Sequence, residues 1–124
     1  MDLSNEYILM CEKAKEIQKL WKPTDTDFYY DAISKTVQGW CNICIDKSEW
    51  EEQKYLGNLI WLSRQDQLQS MLVHKSSYEL FMPFFVWFQS LDVGGKYWSP
   101  EKLWLAFVMK EKYSKQWLTK DWIK

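Results

Sequence analysis

Nine tryptophans, seven tyrosines and six phenylalanines stand among 124 residues, an aromatic content of 18%. That density constrains the chain more than any other feature. Disordered segments are poor in aromatics, so the chain is expected to fold. At this length one domain is expected, burying roughly 68% of the surface its unfolded chain exposes. The aromatics divide by their neighbours. Trp61, Phe84, Trp87, Phe88, Trp104 and Phe107 lie among apolar residues and are expected in the core. Trp40, Trp50, Trp98, Trp117 and Trp122 lie among polar residues, so some are expected to be exposed or half covered. Exposed Trp and Tyr mark partner surfaces, because they bury much area at low entropic cost.

Periodicity sorts the chain into elements. Over residues 4–21, Tyr7, Met10, Cys11, Ala14, Ile17, Leu20 and Trp21 recur on one side of a helix that Ser4 can cap. Pro23 and the following Thr-Asp-Thr-Asp end it. Residues 28–45 change to a period of two and predict a strand pair. Val37, Gly39, Cys41, Ile43 and Ile45 take one face of the second strand, and Gln38, Trp40, Asn42 and Cys44 the other. Ser48 with Glu51 is a capping-box pattern and Gly57 a left-handed stop, which predicts a helix over 49–56. Leu59 to Leu62 reads as a strand, and Ser63 with Asp66 opens a helix carrying Leu68, Met71 and Leu72 inward.

Leu80, Phe81, Phe84, Phe88 and Leu91 share a helix face, with Pro83 either starting that helix or kinking it. Ser99-Pro100-Glu101 is a strong start for a helix to about Tyr113. Its run from Leu103 to Met109 is apolar all round, so burial on most sides is expected. Trp117 and Trp122 bracket a polar turn in a short tail. No repeat or interior linker interrupts the order. The expected fold is α+β: a single domain over 1–124, with a small antiparallel sheet packed against several helices.

Charge and motifs exclude more than they assign. With 16 Lys and Arg against 17 Asp and Glu, the formal net charge is −1, and Arg64 is the only arginine. A nucleic-acid binder shows a basic field, so no nucleic-acid partner is expected. The local exception is the cluster Lys110, Lys112, Lys115, Lys120 and Lys124, where stacking could help only if Trp117 and Trp122 were exposed. The longest apolar run is seven residues and a membrane span needs about 20, so no membrane association is expected. The opening residues carry no export signal and the cysteines are three, which predicts reduced thiols in a cytoplasm.

Cys41-Asn-Ile-Cys44 has zinc or redox spacing, but residues three apart on a strand point to opposite faces, so structural cysteines and no metal are expected. His74, the only histidine, has no orienting partner in reach and reads as a surface residue at a helix end. Glu51-Glu52 reads as a solvated helix face. No nucleophile elbow or glycine-rich phosphate loop is present, and no catalytic residue or cofactor is expected. Arg64, Gln65, Asp66 and Gln67 place long hydrogen-bonding side chains at a helix start. They read either as a polar recognition site or as a capped turn with Asp66 near the helix dipole. With Trp98, Trp117 and Trp122 they are the candidate binding residues.

Long segments carry a resemblance. They are Ile60-Trp-Leu-Ser-Arg-Gln-Asp-Gln-Leu-Gln69, Leu103-Trp-Leu-Ala-Phe-Val-Met-Lys-Glu-Lys-Tyr113, the opening from Glu6 to Pro23, and Lys115-Gln-Trp117 with Trp122. Together they cover about half the chain and resemble a family of small uncharacterised proteins encoded in phages and prophages of Gram-positive, clostridium-like bacteria. Ser63 departs from the proline common in that family, and residues 24–58 match it poorly. The resemblance implies a genetic setting and carries over no catalytic residue. The expected function is a non-enzymatic protein-interaction module of a phage or prophage, acting on a host or phage protein in the bacterial cytoplasm. The alternative is a small-molecule or nucleotide binder with an aromatic pocket near Arg64.

Overall fold

The computed structural model describes residues 1–43, 46–92, 95 and 97–124. The fold class is α+β. The chain divides into two compact units, residues 3–63 and residues 64–124 together with Met1 and Asp2. Among the described residues no helix is long and apolar enough to cross a membrane.

In the first unit α1 (Asn5–Lys13) starts where predicted, with the Tyr7 N–H donating to Ser4 Oγ at 3.2 Å. The helix does not run to 21. It breaks at Ala14, and α2 (Lys15–Gln18) is a single further turn. Gln18 accounts for the break. Its Nε2 donates to the Cys11 carbonyl, which also accepts from the Ala14 N–H at the break, and to the Trp61 carbonyl, each Gln18 bond at 3.0 Å. Its Oε1 accepts from the Trp61 N–H at 2.9 Å. One side-chain amide thus caps a helix and pairs with a strand edge. Tyr7, Met10, Cys11, Ala14, Ile17 and Trp21 are buried as expected, but Leu20 lies past the last helical turn and is exposed.

The strand pair is β1 (Phe28–Asp31) and β2 (Thr36–Gly39), antiparallel, with Tyr30 opposite Val37. β3 (Leu59–Leu62) adds to the other side of β1, placing Trp61 opposite Tyr29 in the sheet order β2-β1-β3. β2 stops at Gly39, so the strand on which Cys41 and Cys44 were to diverge does not extend to them. Cys11 is buried. Cys41 is disulfide-bonded, against the expectation of reduced thiols, and Cys44 and Ile45 lie outside the described residues. α3 (Lys47–Tyr55) is capped by Asp46, whose Oδ1 accepts from Ser48 N–H at 2.9 Å, so the helix begins before the Ser48 that the capping pattern favoured. Gly57 ends the segment at φ 78°, a conformation that favours glycine.

Five rings close the core of this unit: Trp21, Tyr29, Trp40, Trp50 and Trp61, with Trp21 stacked on Trp61 at 6.2 Å. Three of their polar handles are met inside, while the indole N–H groups of Trp50 and Trp61 are buried with no hydrogen-bond partner among the described residues. Trp21 Nε1 donates to Oδ2 of the buried Asp27 at 3.0 Å, and so does the Thr24 N–H. Trp40 Nε1 donates to Asn42 Oδ1 at 2.5 Å. The Tyr29 hydroxyl donates to Gln38 Oε1 at 3.0 Å, and burial with Asp31 nearby raises its pKa.

The second unit holds α4 (Gln65–Ser70), α5 (Ser77–Gln89), α6 (Pro100–Tyr113) and a hairpin of β4 (Gln116–Leu118) and β5 (Asp121–Ile123). α6 matches its prediction at both ends. Ser99 Oγ accepts from the Lys102 N–H, and Trp104 through Met109 are all buried. Asp2 strengthens that start: its N–H donates to Glu101 Oε1 at 2.8 Å, and its carboxylate accepts from the Ser99 hydroxyl. α5 begins at Ser77 behind a Ser76 cap and continues past Pro83, so the proline does not start the helix. The tail is an ordered hairpin with Trp117 directly opposite Trp122.

Candidate functional site

The polar turn before α4 was one candidate. Its N-cap is Arg64 rather than Ser63. Ser63 is buried, and its carbonyl accepts from the Tyr7 hydroxyl at 2.5 Å, which commits that residue to the first unit. Gln67 Oε1 accepts from the Arg64 N–H at 2.9 Å. Arginine has no acceptor to return the bond, so half of a capping box forms. The guanidinium turns onto Asp66, with Nε to Oδ1 at 3.0 Å and Nη2 to Oδ2 at 3.4 Å. That hydrogen bond, aided by the Arg64 charge, holds the Asp66 carboxyl below the usual carboxylate range. Gln65 is half-buried at the first position of a helix only six residues long. Arg64 thus pairs with both Gln67 and Asp66 at this helix start.

The tryptophan candidates lie elsewhere in the same unit. Trp98 is half-buried in the turn before α6, its N–H donating to the Gly95 carbonyl at 3.1 Å. Trp117 and Trp122 face each other across the hairpin at 5.1 Å, and both are buried. The exposure on which their role as contact or stacking residues depended is therefore absent. Trp40, also set among polar neighbours, is buried too.

A depression of about 370 Å³ opens between the end of α4, α5 and α6, lined by His74, Glu79, Leu80, Phe107, Glu111 and Lys112 among others. Neither Arg64 nor any tryptophan lines it. His74 is exposed, as expected, but it lies in the segment between α4 and α5 rather than at a helix end, with Nδ1 at 2.8 Å from the Leu72 carbonyl. Among the described residues no three His, Cys, Asp or Glu side chains gather as metal ligands would.

The surface feature that local patterns missed is α5. Its inner side follows the prediction in part: Leu80 and Phe84 are buried, Phe88 and Leu91 half covered, and Phe84 stacks on Trp104 at 4.0 Å. Phe81 marks the edge of that face and is exposed. The opposite side carries Tyr78, Met82, Phe85 and Val86, also exposed. Residues 78, 82 and 86 make one ridge at four-residue spacing, and 81 and 85 a second beside it. Glu79, the only charged residue of α5, lies off these ridges, its Oε2 accepting from the Lys75 N–H at 2.8 Å. The signal was present in the sequence: the residues from 78 to 88 are apolar on both helix faces, more than one buried stripe requires.

Fold and surface together define a small α+β protein with an uncharged, aromatic-rich helix face open to solvent. Comparison with protein-family models, curated proteins and solved structures gives no match to this chain.

Proposed function

We propose that the chain is a non-enzymatic protein-interaction module and that the outer face of α5 is its contact surface. The observation that carries this reading is the face itself: Tyr78, Phe81, Met82, Phe85 and Val86, exposed and contiguous on one helix. Apolar patches of several hundred Å² on a folded monomer are often functional, and aromatic residues and Met are enriched at protein contacts while charged residues are depleted at their centres. The non-enzymatic part rests on the sequence, which holds one histidine and no nucleophile or phosphate-loop motif. The resemblance supports a phage or prophage setting, hence a partner protein of host or phage, while the balanced charge and short apolar runs argue against nucleic acid or a membrane as partner.

The test is photo-crosslinking from inside the host. With a benzophenone amino acid replacing Val86, the reading expects a protein adduct that disappears when Phe85→Glu is added. An adduct from the same probe at exposed Lys13, with none from position 86, would contradict it. The depression beside His74 favours a second reading, since about 370 Å³ falls within the range of small-ligand sites. A ligand that raises the melting temperature, and loses that effect when Leu80→Trp fills the depression, would promote it.

A further inference from the structure

We infer that the partner of the α5 face is a second copy of this chain, paired through a twofold axis at Met82. The inference rests on the interaction reading above and narrows it. An isologous contact sets one patch against itself, so the patch must be self-complementary and must bring no like charges together. The α5 face meets both conditions. Its two parallel ridges, 78-82-86 and 81-85, leave a groove that the ridge of an identical helix fills when the two cross antiparallel at about −50°. A twofold axis through Met82 then sets Tyr78 of each copy against Val86 of the other. No acid or base lies on the ridges, so nothing there selects a partner of opposite charge. No Lys or Arg occurs anywhere in α5, which argues against an anionic lipid surface as the occupant.

The area points the same way. The five side chains are exposed by 36% (Phe81) to 71% (Tyr78). At ~200 Å² for a large side chain they present roughly 500 Å². Two copies bury about 1,000 Å² in all, the size at which a specific interface becomes plausible and at which affinity is weak. The expected dimer is therefore in micromolar exchange with its monomer.

Sedimentation velocity across a concentration series, with a charge-swap set, tests the pairing. Wild type should shift from monomer to dimer as concentration rises through the micromolar range. Tyr78→Glu and Val86→Lys should each be monomeric throughout, with unchanged circular dichroism. The double variant Tyr78→Glu/Val86→Lys should regain the dimer, because each new charge then faces its opposite on the partner copy. Met82→Cys should form a covalent dimer under mild oxidation, and Lys13→Cys should not. A wild type that stays monomeric to several hundred micromolar overturns the inference, as does a dimer indifferent to both single variants. Flotation of the monomer with neutral lipid vesicles, lost on Phe85→Glu, also overturns it in favour of a membrane surface. If wild type is monomeric but the probe at position 86 still captures another protein, the interaction reading survives without the dimer. If neither occurs, both readings fall.

Discussion

Two aromatic groups of similar size lie in the two units and meet opposite fates. In residues 3–63, five rings are drawn from a helix end, two strands, the segment after β2 and a third helix, and they close on one another. Four of the five are buried, among them Trp40, which stands among polar residues. In residues 64–124, α5 is aromatic and aliphatic on nearly every side, yet only Leu80 and Phe84 of it are buried. A polar neighbour in an extended segment says little about a ring, because successive side chains point opposite ways. Trp117 and Trp122 illustrate this: each is buried between exposed strand neighbours. A helix presents its whole circumference, and one packing partner covers only one side of it.

The largest expected effect probes the covered side of the second unit. Phe107 is almost fully buried against Phe84, Trp87 and Trp104. Phe107→Ala should cost about 3–5 kcal/mol, a large share of a typical total of roughly 5–15 kcal/mol. Urea unfolding that matches wild type would mean that α6 is not core. Next comes the buried carboxylate of the first unit. Asp27→Ala leaves the Trp21 indole and the Thr24 N–H short of an acceptor. The expected loss is about 1–3 kcal/mol, with Asp27→Asn losing less because its amide oxygen still accepts. Equal losses in the two variants would show that Trp21 is held by ring packing alone.

The smallest effect belongs to the pair of Arg64 and Asp66. The folded-state pKa of Asp66 is lowered, chiefly by the Arg64 hydrogen bond. Its contribution is therefore present above the unfolded carboxylate pKa and is lost as pH falls through the lower folded value. The pair is largely exposed on the Asp66 side. Solvent screening limits it to a few tenths of a kcal/mol. Arg64→Ala should cost about those few tenths of a kcal/mol at neutral pH and nothing once Asp66 is protonated, so variant and wild-type melting temperatures converge in acid. A drop of several degrees at neutral pH would give Arg64 a larger structural part.

Local patterns revealed elements more readily than surfaces. α6 was legible in full, since Ser99-Pro100-Glu101 fixes its start chemically and its apolar run matches its burial. α1 was legible in its buried face but not in its end, because the Gln18 clip to Trp61 spans 43 positions. Ser63 was read as a cap, and a hydroxyl 56 positions away engages it instead. Asp46 and Ser48 could both cap α3, and spacing alone did not choose between them. Of the candidate site, Arg64, Asp66 and Gln67 were correctly placed at a helix start, but their mutual pairing was not apparent from the spacing. The outer face of α5 escaped because the pattern was followed along the one face of Leu80, Phe81, Phe84, Phe88 and Leu91, and the apolar residues opposite were left unassigned.

The most direct test of the contrast between the two aromatic groups is to compare the thermal midpoints of Trp40→Ala and Phe85→Glu, measured side by side in dilute solution. Trp40 stands among polar residues and is core; Phe85 stands among apolar residues and is surface. Trp40→Ala should lower the midpoint by about 10 °C or more, since removing a buried Trp costs roughly 3–5 kcal/mol. Phe85→Glu should stay within about 2 °C of wild type, as surface substitutions do. A Phe85→Glu midpoint that falls as far as that of Trp40→Ala would show that α5 is covered on both sides, and would contradict the account of its outer face.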